Sequence, residues 1–295
     1  MPSESCLKHA KPREHVRPYS MDDYVTLFRL YSPAVATVIT VFFMAMARVA
    51  PIVALVPFLA ARQMPGPVKV MFAIMLTLVL LPKLVLMSGT HLRLSPELAP
   101  YLIKEIFIGL CMAIIASIPF HVANSAGILI DHQRGADSLM ANDPTMETQA
   151  SPAGILYNAV LLVLFFQLDG PFFFFDALLT SFDVLPVDKF PSIAFFTAKP
   201  DSPFWGVWVG LIGYVLRMSV QLAGPSLVAM LMTDMFLGIA NRLAPQVQIS
   251  FLGMALKAWV GIAAMFVAWA FILKIMGRES ITWMQGLKHL IESIY

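Results

Sequence analysis

Long uncharged apolar runs alternate with short polar breaks along most of this chain. Residues 33–59 carry one charge, Arg48, while 70–82 and 106–130 carry none. Residues 153–168 are uncharged until Asp169-Gly170-Pro171 interrupts the run ahead of four phenylalanines at 172–175. Residues 202–216, 218–233 and 258–273 are also uncharged, divided by Arg217, Asp234, Arg242 and Lys257. A helix needs about 20 mostly apolar residues to cross a bilayer, so the pattern predicts about five or six spans. The stretch 205–239 is longer than one crossing requires. Gly224-Pro225 predicts a kink within it, because proline lacks a backbone donor and clashes with the preceding turn. Pro51, Pro57, Pro82, Pro119 and Gly170-Pro171 predict breaks in or beside the other runs. Irregular backbone at membrane depth needs cover from protein or a water-filled cavity, which points to burial in an assembly or around a pore. Proline is also simply commoner in membrane helices, so both readings stand.

Polar segments divide these runs. Residues 1–31 hold Lys8, Lys11, Arg13 and Arg17 without an apolar core, unlike a secretory signal. Ser20 and Asp23 resemble a capping box ahead of a short helix carrying Tyr24, Leu27, Phe28 and Leu30. Residues 131–151 are acidic, with Arg134 the only basic residue apart from His132. Pro186, Pro191, Pro200 and Pro203 mark 183–204 as a loop, and Pro245, Gln246 and Gln248 mark 243–253 as a turn. Lys274, Arg278 and Lys288 would place the C-terminus in the cytoplasm. Ile281, Met284, Leu287, Leu290 and Ile291 stand at helical spacing in a tail that lies at an interface or packs on a partner.

Composition agrees with a polytopic membrane protein. Of 295 residues, 59% are apolar and 13% charged, against roughly 45–50% and ~25% in soluble domains. The mean hydropathy is +0.77. These values exclude an ordinary soluble domain, a disordered chain and a coiled coil. A net charge of +2 is too weak to imply nucleic acid. Cys6 and Cys111 form no disulfide framework.

Chemistry-bearing motifs are absent: no H-E-x-x-H, C-x-x-C, G-x-S-x-G or phosphate-binding loop. The chain is therefore expected to be no enzyme and to hold no metal or cofactor. His121 and His132 lack carboxylates or cysteines at ligand spacing, and His121 reads as a packed or interfacial histidine. The informative residues are the charges in apolar runs: Arg48, Arg217, Asp234 and Lys257. Each costs roughly 2.5–3.5 kcal/mol at the bilayer centre, so it faces a partner, a cavity or a pore. Arg217 and Asp234 stand 17 positions apart, about 25 Å of helix. They mark the two ends of one span, or they pair across subunits or line a path. Gly206 and Gly210 would permit close helix approach.

Two blocks carry more than composition. One runs from Ala126 to Pro186, with Gln133-x-Gly135 leading to Asp143-Pro144, then Asp169-Gly170, then S-F-x-x-L-P at 181–186. The other runs from Asp234 to Lys257, with Gly238-x-x-x-Arg242-x-x-Pro245-Gln246. In order and spacing they resemble the FliR/SctT family, the T subunit of the type III secretion and flagellar export apparatus. The resemblance covers roughly residues 30–276. The N-terminal tail is longer than usual, and Gly170-Pro171 stands where flagellar members often read G-H. The ending M-A-L-K is closer to injectisome members, which favours a virulence-type system.

The resemblance implies an all-α membrane protein of long kinked hairpins. Residues 1–31 would be a polar tail with a short helix, 32–204 an R-like portion, 205–276 an S-like hairpin, and 277–295 an amphipathic tail. Family members assemble with R- and S-type subunits into a helical cone largely lifted out of the bilayer plane. The implied partners are those subunits, the switch (U-type) subunit, secreted protein substrates and membrane lipid, in the bacterial inner membrane. Residues 134–151 match the segment that plugs the closed channel, with Gln133, Arg134, Gly135, Asn142, Asp143 and Pro144 as its plug residues. An Asn142-Asp143-Pro144 turn would suit such a loop, although the residues alone also fit an ordinary external loop. Asn241, Arg242, Pro245 and Gln246 would form the hairpin tip and a subunit interface. The implied function is gating of an export channel for unfolded substrates, opened by whatever binds the open state better. A secondary transporter of small solutes is the alternative; it predicts inverted repeats and a compact midplane site, and neither is clear here.

Overall fold

A computed structural model describes residues 35–59, 64–87, 98–135, 151–189, 203–243 and 249–292. Among them every regular element is helical: this is an all-α membrane protein. The elements are α1 (Val35–Leu55), a 3₁₀ turn (Pro57–Leu59), α2 (Gly66–Met87), α3 (Ala99–Gln133), α4 (Pro152–Gln167), α5 (Gly170–Val184), α6 (Pro203–Leu243), α7 (Ile249–Val267) and α8 (Trp269–Glu292).

Four helices are each long and apolar enough to cross a membrane, and the number rises to six if each of two bent pairs is one span. The first bent pair is α4–α5, turned by 73° at the expected Asp169-Gly170-Pro171 break. Asp169 takes a left-handed φ of 57°, which Asp tolerates better than most residues. Gly170 lies so close to the Phe165 ring that a Cβ could not fit. The second pair, α7–α8, bends by 62° around Ala268. No Gly or Pro marks that bend in the sequence.

Three of the expected proline breaks do not occur: helices continue through Pro51, Pro82 and Pro119. Pro225, where the sequence predicts a kink, also lies inside one helix. A lone proline removes one helical hydrogen bond, and neighbouring groups can satisfy the freed carbonyl. At Pro119 that carbonyl belongs to Ile115, and the Trp283 indole N–H of α8 donates to it at 2.8 Å. Pro57 does end a helix, and Pro152 and Pro171 open helices, where a missing N–H costs nothing.

The centre of the bundle is α3. In its most apolar stretch 61% of residues are buried, against 22% in α2 and 28% in α6. Around it pack α1, α4 and α6, while α2 lies on α1 and α7 on α6. Returning along α5, α8 buries Met284, Leu287 and Ile291 in the common core. Thus three of the tail's amphipathic residues find their apolar cover within this chain. Phe58 fills the junction of α1, α3, α4 and α5, with ring centroids 5.9, 4.7 and 5.2 Å from Phe120, Phe165 and Phe174.

Candidate functional site

Two polar nodes interrupt this apolar bundle. The first lies where α3 ends and α4 begins. Asp131, buried in the last turn of α3, accepts from Ser151 Oγ at 2.5 Å and from the Ala153 backbone N–H at 3.0 Å. Ser151 also caps α4 by accepting from the Gly154 N–H at 2.9 Å. Arg134 forms an ion pair with Asp131 Oδ1, and Arg134 Nε has no partner among the described residues. Burial disfavours the charged guanidinium and lowers the Arg134 pKa from its ordinary value. Gly135 ends the segment with φ 78°, a left-handed conformation that glycine adopts without strain.

This node reaches the α6–α7 hairpin. Gln133 Nε2 donates to Asp234 Oδ2 of α6 at 3.2 Å, and Asp234 Oδ1 pairs with Lys257 of α7. The Arg134 stem lies beside Gly261 of α7. Beyond the Asp234–Lys257 pair, an open cleft of about 230 Å³ runs between the two helices past Gly238, Asn241 and Gly253. Polar groups in so apolar a hairpin need partners, and here they find them in one another.

The second node surrounds Arg48. Its guanidinium and the Glu105 carboxylate are both 0% exposed. Nε and Nη2 donate to the two Glu105 oxygens at 2.5 and 3.0 Å, a bidentate pair. Nη1 donates to the Ser181 carbonyl at 2.9 Å and to Ser181 Oγ at 3.1 Å, and Nη2 to the Leu185 carbonyl at 2.7 Å. Arg48 therefore caps the C-terminus of α5, where orphan carbonyls and the helix dipole favour a cation. Its charge also lies 4.1 Å from the Phe182 ring centroid. Beside it Lys104 Nζ sits 2.7 Å from Glu105 Oε1 and donates to the carbonyls of Pro186 and Lys189 at 3.0 and 2.8 Å. The S-F-x-x-L-P segment is thus held by buried cations, and Gly109 lets α3 approach the Arg48 carbonyl closely enough to form the node.

The residues singled out in the sequence fall into distinct places. Gln133, Arg134 and Gly135 lie in the first node, with Asp234 and Lys257. Arg48 lies in the second. Arg217 is exposed on α6, on the same unbroken helix as Asp234. Asn241 and Arg242 are exposed at the end of α6. Asn142, Asp143, Pro144, Pro245, Gln246, the tail 1–31 and the capping box within it lie outside the described residues. Gly210 faces open space, so among the described residues no helix packs on the Gly206–Gly210 pattern at that position. Asp131, Ser151, Lys104 and Glu105 escaped notice in the sequence. The adjacent charges at 104 and 105 stand just before an uncharged run, and the need of Arg48 for a buried acid is the signal that could have found them.

Comparison with known proteins places this arrangement. Residues 39–281 match the bacterial export proteins, family 1. The chain is 31% identical over 159 residues to Yop proteins translocation protein T of Yersinia pestis, covering 52% of this chain and 57% of that protein. It is 25% identical over 256 residues to surface presentation of antigens protein SpaR of Salmonella typhimurium, covering 83% and 92%. It is 26% identical over 230 residues to flagellar biosynthetic protein FliR of Escherichia coli, covering 77% and 83%. The match to the Yersinia protein spans little more than half of that relative's length. With the family match running through both nodes and reaching into every described helix, the chain belongs to the bacterial export proteins, family 1.

Proposed function

We propose that this chain is a structural and gating component of the type III protein export apparatus. It works without catalysis in the bacterial inner membrane and helps to form the channel for unfolded secretion substrates. One observation carries the reading: residues 101 positions apart, Gln133 and Asp234, meet by a hydrogen bond. They bring the root of the polar segment 134–151 onto the α6–α7 hairpin, and both belong to the blocks that resemble the T subunit. Segment 134–151 is the plug, and Asn241, Arg242, Pro245 and Gln246 form a subunit-facing tip.

The partners are the R- and S-type subunits, the switch (U-type) subunit and the exported chain. The exposed apolar face of α6 supports such an assembly. The helix has 41 residues, about 60 Å at 1.5 Å per residue, twice a hydrocarbon layer of ~30 Å. Leu216, Met232, Phe236 and Leu243 are exposed along it, and lipid alone cannot cover that length. Sister helices can.

The test is deletion of 136–150 in the assembled complex, read as ion leak across a reconstituted bilayer. A leak is expected, and an unchanged seal refutes the plug. A free monomer that transports a small solute refutes the whole reading.

A further inference from the structure

We propose that Asp131 is a positioning residue for the seal. Its carboxylate sets how the end of α3 meets the start of α4, and Gln133 and Arg134 tie that junction to the α6–α7 hairpin. This inference rests on the gating role proposed above.

Asp131 is 4% exposed. A buried carboxylate persists only where donors compensate its lost hydration. Both donors to Oδ2 come from the opening of α4: the Ser151 hydroxyl and the Ala153 N–H. The Ser151 hydroxyl gives its proton to Asp131 and accepts from Gly154 N–H with a lone pair, so one side chain caps α4 and closes the clasp. The backbones are pressed together here, since a Cβ on Gly127 would strike the Gly154 amide. Apolar packing alone would tolerate sliding between the two helices. Directed hydrogen bonds from a single carboxylate fix one register.

Gln133 reaches α6 at Asp234, and the Arg134 stem reaches α7 at Gly261, where a Cβ would lie 3.4 Å from Arg134 Cγ and Cδ. Residues 131, 133 and 134 thus connect α4, α6 and α7 within one turn of chain. Any partner that separates α6 from α7 must break the Asp234–Lys257 pair, release Gln133 or drag the junction with it. That is a contiguous physical route from hairpin to junction.

The experiment uses the full complex with its sister subunits, reconstituted in planar bilayers without substrate, with subunit content checked by native mass spectrometry. Asp131→Ala is expected to raise the leak about tenfold at unchanged subunit content. Asp131→Asn keeps an oxygen that can accept from Ser151 and Ala153, and is expected to stay within about threefold of the parent. A sealed Asp131→Ala complex overturns the proposal, as does an Asn variant as leaky as the Ala variant. If Asp131→Ala does not assemble, Ser151→Ala carries the test: a leak raised severalfold supports the clasp, and parent-level conductance overturns it. Deletion of 136–150 runs in parallel. A sealed deletion complex removes the gating role itself, whereas a leaky deletion with a sealed Asp131→Ala removes only the role of Asp131.

Discussion

Replacing Arg48 with methionine removes a guanidinium that is 0% exposed while keeping much of its volume. Glu105, equally buried, then keeps only Lys104, at 2.7 Å, as its cationic partner. The Ser181 and Leu185 carbonyls lose the donors that cap α5. Removing one partner of a buried ion pair costs about 3–5 kcal/mol. Because Lys104 still neutralises part of the Glu105 charge, the expected cost is at the lower end, about 3 kcal/mol. Arg48→Met combined with Glu105→Leu removes one charge of each sign and leaves Lys104 near Asp188. The double variant should therefore be more stable than the sum of the single effects implies, by about 2 kcal/mol. Equilibrium unfolding in mixed detergent micelles, followed by helical ellipticity, measures all four states of the cycle. A single-variant cost below about 1 kcal/mol, or additive energies, would show that Arg48 is not the lock between α1 and α5. An assembled complex with normal stability but altered conductance would instead place it on a path.

Three further outcomes follow from the same structure. Trp283→Phe keeps an aromatic ring against Tyr214, whose centroid is 4.4 Å away, but leaves the Ile115 carbonyl freed by Pro119 without its donor. It should lower stability by about 1–3 kcal/mol in thermal unfolding, and a change under about 0.5 kcal/mol would contradict that account. Gly127→Ala forces α3 from α4 at the Gly154 amide and should cost about 2 kcal/mol or more, seen as reduced accumulation in the membrane; normal accumulation would mean the helices part freely. Arg242→Glu reverses a charge exposed in the last turn of α6, costing that helix only about 0.3–1 kcal/mol. Co-purification with R- and S-type subunits should nevertheless fall, and unchanged co-purification and secretion would remove Arg242 from the interface.

The helices were legible because uncharged runs of this length have few alternatives in a chain so poor in charge. The Asp169-Gly170-Pro171 break was legible too, since a left-handed residue and a proline are both written into it. Proline misled elsewhere. A proline reports one lost bond, but whether the helix ends depends on what covers the freed carbonyl. At Pro119 the cover is an indole 168 positions away from Ile115. The bend at Ala268 had no Gly or Pro beside it to announce it.

The site was half legible for a related reason. Arg48, Asp234 and Lys257 stood out because charge inside an apolar run is costly and must be answered. The partner of Arg48 did not stand out, because a partner can lie at the edge of a run, as Glu105 does, and Asp131 went unnoticed because it and its partner Ser151 both stand in a segment that reads as loop. Asp234 and Lys257 looked like separate marks until the hairpin folded them together. The same reasoning turns Asp131 from the first residue of a polar break into the last residue of a helix. As loop it would be solvated and replaceable. As a buried helix end it must be satisfied, and the donors that satisfy it are those that start the next helix. The function-bearing fact is therefore the pairing of residues, which hydropathy along the chain cannot carry. What it does carry is the demand for pairing, and Arg48, Glu105 and Asp131 answer that demand across helices.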